Sequence, residues 1–185
     1  MVSDEEKAAQ HAELDHREER MLALFGRLRR QIDQGVVAGS PGRKWLRQFA
    51  FGKGANLCCG DFPIGDSIGI DADWEKLATD LWGYADRPPF EDGTIDYVLT
   101  NYLEAFPDTL QVLQNWTKAL RVGGILAIVC RNTDAYDNPM GPLTNKHRAH
   151  CFSLKTLSCY LQRAGFRVKL HEFHEQELWV AAVKL

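Results

Sequence analysis

The sequence predicts an α/β domain: a mostly parallel sheet that ends in an antiparallel hairpin, with a helical extension in front. Three observations carry this. Short apolar runs at residues 55–58, 67–71 and Ile95–Thr100 read as buried core strands. Two helical periodicities, over 109–120 and 153–164, alternate with further apolar strands. Residues 166–173 and 178–183 alternate polar and apolar and read as a closing hairpin.

The chain has 185 residues, enough for one domain and a short extension, and we set the boundary at residue 50, with the main domain over 51–185. Residues 3–34 read as a helix, opened by the capping-box pattern of Ser3 and Glu6 and ended by Gly35. Its apolar positions, Leu14, Met21, Leu22, Phe25, Leu28 and Ile32, suit a packing face. Residues 35–42 hold Gly, Ser and Pro and read as a loop, and residues 44–51 as a short helix. The first strand is 55–58 and the second 67–71. No crossover helix fits between them, because a parallel crossover normally takes a dozen or more residues. Pro63 and Gly65 favour a tight, irregular path there. Residues 74–77 allow barely one helical turn, and 78–81 read as a third strand with Asp80 near its end. Asp108 is placed to cap the helix over 109–120, which Gly123-Gly124 stops. Residues 125–130 are the clearest central strand, and 131–151 form a long polar loop. Ser153 caps the last helix, ended by Gly165.

The stretch N-L-C-C-G-D-F-P-I-G-D-S-I-G-I-D, residues 56–71, is the chemical centre. A strand, a glycine turn, a short loop and a second strand ending in an acid is how open α/β sheets offer backbone and one carboxylate to a nucleoside. Further motifs follow in order: P-P-F-E-D-G-T-I-D-Y-V before and into the fourth strand, T-N-Y-L-E-A-F after it, K-A-L-R-V-G-G-I-L-A-I-V into the fifth, and F-S-x-x-x-L with L-x-x-A-G-F before the hairpin. In this order and spacing the chain resembles the class I, Rossmann-like SAM-dependent methyltransferases, in a compact branch akin to type 11 methyltransferase domains. That resemblance implies a three-layer Rossmann-like sandwich, S-adenosyl-L-methionine (SAM) as methyl donor and S-adenosyl-L-homocysteine (SAH) as product. The chain departs from the family's pattern at Cys58 and Phe62, where the family has glycines, and at Ala105, where it has His.

The resemblance assigns roles by position. Asp71 would take the ribose diol, since an ionised acid accepts two hydrogen bonds, with Ala72 beside it. Asp80 would take the adenine amino group with Leu81 against the ring, and Asp86 is the alternative acid. The methionine end would meet Cys59, Gly60, Asp61 and Phe62, with Asn101 and Tyr102 facing the same crevice. A general base is needed only where the acceptor must lose a proton, and Glu104, His147 and His150 are the candidates. Adjacent Cys58-Cys59 lack metal-ligand spacing, and His147, His150, Cys151 and Cys130 do not complete a zinc pattern, so no metal is expected.

Net charge is -3, which excludes a general pull on nucleic acid, and no apolar run approaches a membrane-spanning length. Five cysteines without a disulfide-like pattern and a charged N-terminus point to the cytoplasm. The leading expectation is a methyltransferase acting on a small-molecule or saccharide-like acceptor. A catalytically inactive SAM-binding or methyltransferase-like regulatory or structural module is the alternative, motivated by the altered glycines. A nicotinamide-dependent oxidoreductase is a further rival, opposed by the short path from Gly60 to Asp71. The N-terminal helix is a candidate homodimer contact.

Overall fold

The computed structural model describes residues 40–60, 62–73, 79–136 and 148–185. Residues Ser40–Leu185 form one compact unit. The expected N-terminal helix, its dimer contact and the 74–77 turn lie outside the described residues.

The unit opens with α1, Pro41–Arg47. It starts earlier than its sequence suggests, because Ser40 caps it through Oγ and Pro41 occupies the first turn, where a missing N–H costs nothing. The Ser-Pro-Gly run is thus a helix start, and α1 belongs to the sheet-packed unit. Trp45 and Leu46 are buried.

The strands are β1 Gly54–Leu57, β2 Ile68–Asp71, β3 Leu81–Trp82, β4 Ile95–Thr100, β5 Leu120–Arg131, β6 Phe166–His174 and β7 Glu177–Lys184. They form one sheet in the order β3-β2-β1-β4-β5-β7-β6. The first five are parallel; β7 runs antiparallel to β5 and to β6. The α/β fold with a C-terminal hairpin is therefore as expected. Helix α2 spans Thr109–Ala119 and α3 Leu154–Arg163, each capped by the residue the sequence named, Asp108 and Ser153.

Side chains alternate across the sheet. Val98, Leu126, Ile128, Val180 and Ala182 join the core that contains Trp116 of α2 and Leu157 and Leu161 of α3. Tyr97, Leu99, Ala127, Val129 and Trp179 join the core that contains Trp45 and Leu46 of α1. Burial on both faces makes β4 and β5 read as continuous apolar runs.

Three expectations are corrected. The third strand is Leu81–Trp82 rather than 78–81, and Asp80 precedes it. The Asp80 carboxylate accepts from Gly69 N–H at 2.7 Å, so backbone pairing begins one residue later, at Ile70 with Leu81. Helix α2 ends at Ala119, not at the glycine pair, because Leu120 is already extended and pairs with Ile95. The ladder then skips to Tyr97 with Ile125, and Gly123 at φ +76 forms the bulge between. Finally, β1 stops at Leu57, because Cys58 turns into the left-handed region at φ +55.

Candidate functional site

Parallel strands β1, β2 and β4 all end on one rim. A cleft of about 780 Å³ opens there, lined by Cys58, Gly60, Asp71, Ala72, Asp73, Tyr84, Ala85, Asp86, Tyr102, Ala105 and Phe106. That volume lies in the range of small-ligand sites.

The turn after β1 shapes the floor. Gly60 has φ +60, and a Cβ there would meet nothing within 4 Å, so the position asks for glycine by conformation rather than by crowding. Its N–H donates to Asp71 Oδ2 at 2.9 Å, and Asp73 N–H donates to Asp71 Oδ1 at 2.9 Å. The carboxylate is thereby aimed across the rim from β2 to β1. Cys58 occupies the first motif position yet keeps a glycine-like φ of +55. Its thiol is raised above the usual range by burial first, then by Asp71. Burial likewise lifts Cys59 to about 11. Both are protonated at neutral pH, so neither offers a thiolate nucleophile or ligand.

The cleft brings together Gly60, Asp71, Ala72 and Tyr102 of the residues singled out from sequence, together with the alternative acid Asp86. The other candidates sit elsewhere. Cys59 is buried, its Sγ against Gly60 O at 3.3 Å and Thr79 Oγ1 at 3.8 Å. The Phe62 carbonyl accepts from Arg43, and its ring does not line the cleft. Asp80 lines a separate surface hollow with Pro63, Gly65, Asp66, Ser67 and Ile68, and Leu81 is exposed. His150 contacts the Pro107 carbonyl through Nε2 at 2.6 Å. Asp61 and His147 lie outside the described residues. Sequence reasoning missed Asp73, Tyr84, Ala85 and Phe106; Phe106 carried a signal, since it closes the T-N-Y-L-E-A-F segment.

Asn101 and Glu104 line a second, smaller cavity of about 200 Å³ with Ser40, Arg43, Tyr102, Val129, Cys130, Arg131, Arg148 and Glu177. Tyr102 is common to both hollows. Glu104 is buried, with Oε1 3.6 Å from Arg148 Nε. Desolvation raises its carboxyl to about 7, against the opposing pull of its own backbone N–H first, then of Arg148 and Arg131. Among the described residues no group of three His, Cys, Asp or Glu side chains is placed to hold a metal, and no helix is long and apolar enough to cross a membrane.

No protein-family model matches the chain. It is 28% identical over 152 residues to a demethylmenaquinone methyltransferase of Bacillus pumilus, covering 63% of this chain and 64% of that protein. Its fold is that of solved SAM-dependent methyltransferases. One, from Mesorhizobium loti, superposes at TM-score 0.65 with 15% identity, covering 80% of this chain and 99% of that one. Another, from Aquifex aeolicus, gives 0.61 with 16% identity, covering 78% and 90%. The architecture is the class I methyltransferase fold.

Proposed function

We propose that this chain, built on the class I fold, is a SAM-dependent methyltransferase that binds its donor in the cleft at the tips of β1, β2 and β4. The observation that carries the reading is Asp71: a half-buried carboxylate held at a glycine turn, on the rim of a nucleoside-sized hollow. The residues fit the group. Asp71 suits the ribose diol and Asp86 the adenine amino group, with Ala85 and Phe106 as apolar neighbours. Gly60 leaves open space where a side chain would intrude. Three acids, Asp71, Asp73 and Asp86, surround the hollow and favour a cationic ligand. Bound SAM supplies a methyl group on a positively charged sulfur, already activated for displacement. The chain's own work is then to hold that group and its acceptor in line and to exclude water.

We take the acceptor to be a small molecule or saccharide-like compound and the protein to act in the cytoplasm. The altered glycine motif does not favour the inactive-module reading, because Cys58 adopts the backbone a glycine would and leaves the hollow open.

Calorimetry with SAM, SAH and NAD tests the reading: SAM and SAH bind, NAD does not. Replacing Asp71 by alanine weakens SAM binding by about tenfold, the scale of a lost charge-assisted bond pair. NAD binding without SAM binding, or unchanged affinity in Asp71→Ala, contradicts it.

A further inference from the structure

Two side chains that line the smaller cavity, Asn101 and Glu104, each carry a buried acceptor oxygen. Asn101 Oδ1 and Glu104 Oε2 are buried and have no hydrogen-bond partner among the described residues. Glu104 is only 2% exposed, and both residues line the same hollow. Leaving such atoms unmet is costly, so two buried acceptors on residues of one cavity call for a ligand that brings two donors.

Charge narrows the donor type. Arg43, Arg131 and Arg148 line the cavity against Glu104 and Glu177, an excess of positive charge. An ammonium group is repelled there, whereas a neutral hydroxyl is not, and negative charge growing on its oxygen is stabilised. The volume of about 200 Å³ admits one ring.

We propose that this cavity is the acceptor subsite and that the acceptor presents a diol in it, one hydroxyl donating to Glu104 Oε2 and the other to Asn101 Oδ1. The inference rests on the methyltransferase reading, and Tyr102, which lines both hollows, is where the acceptor subsite adjoins the cofactor cleft. The hydroxyl proton passes to Glu104 as its oxygen takes the methyl group. The carbon–sulfur electron pair stays on sulfur, leaving the neutral thioether of SAH, and Glu104 later returns the proton to water. A carboxyl poised near neutrality by burial suits that exchange.

Calorimetry with SAH alone checks the cofactor reading and serves as the folding control for each variant. Catechol and myo-inositol as diol probes, with benzylamine and benzoate as controls, are then followed by saturation-transfer NMR on the SAH-saturated protein. The expected result is that diols bind at least tenfold tighter than the controls. Asn101→Ala should weaken diol binding at least fivefold, and Glu104→Gln should cut SAH release from SAM and catechol at least tenfold, with SAH affinity unchanged in both. A control that outbinds the diols, no diol binding, or diol binding unmoved in Asn101→Ala overturns the proposal. Diol binding lost in Asn101→Ala, in a protein with no affinity for SAH, keeps the cavity as a diol site but overturns the transferase reading and with it the acceptor role.

Discussion

Glu104 couples the site to stability. Its folded-state carboxyl, near 7, lies above the ordinary 4.5, so the folded protein holds this proton more tightly than the unfolded chain. Folding is therefore favoured most at low pH, loses ground as pH rises from 4.5 towards 7, and carries a constant penalty beyond. The penalty is about 3 kcal/mol, from 1.36 kcal/mol per decade. Urea denaturation should find Glu104→Gln more stable than the parent by up to about 3 kcal/mol at pH 8, with the gap closing by pH 4.5. A gap independent of pH would show that another group titrates. At this scale the sequence identified the acid but not its state. Burial came from the β4 tip folding over, with Ala149 and His150 N–H donating to the Glu104 carbonyl.

At the scale of elements, the connection between β1 and β2 stands in for a helix. Asn56 sits fully buried at the centre of β1, with Nδ2 donating to Leu99 O and Oδ1 accepting from Ile64 N–H, each at 3.2 Å. One side chain thus ties the return loop to β4 across the sheet. Pro63 lies on Gly69 so closely that a Cβ there would stand 2.5 Å from its ring. Asn56→Ala strands a buried donor and a buried acceptor at once and should cost about 3 kcal/mol. Denaturant unfolding measures this, and a loss under about 1 kcal/mol would mean that water replaces the side chain. The absence of a crossover helix was legible from spacing alone. The strap was not, because an Asn inside an apolar strand pattern gives no hint of a partner so distant in sequence.

For the whole molecule, the helical layer and the cleft are joined through Trp116. It is fully buried in α2, and its Nε1–H donates to Ala85 O at 2.7 Å, while Ala85 lines the cleft. Phe106 packs edge-on against the same indole at 5.8 Å. Trp116→Phe removes the donor and leaves the Ala85 carbonyl without it, which should cost about 2 kcal/mol in unfolding experiments. It should also weaken SAH binding in calorimetry, although residue 116 does not reach the cleft. Normal affinity with lowered stability would confine Trp116 to packing.

The sequence by itself determined the sheet, its closing hairpin, the helix caps and the acid at the end of β2, because these rest on local periodicity and on short-range backbone chemistry. Tertiary structure alone decided which acids share a hollow. Asp80 and Asp86 are near neighbours in the chain, yet Asp80 is drawn away by Gly69 N–H and Asp86 faces the cleft. It alone gathered Arg43, the pair Asn101 and Glu104, Arg131 and Arg148, which lie far apart in the chain, around one cavity. Such convergence depends on register and on the close of the fold, which no run of neighbouring residues encodes.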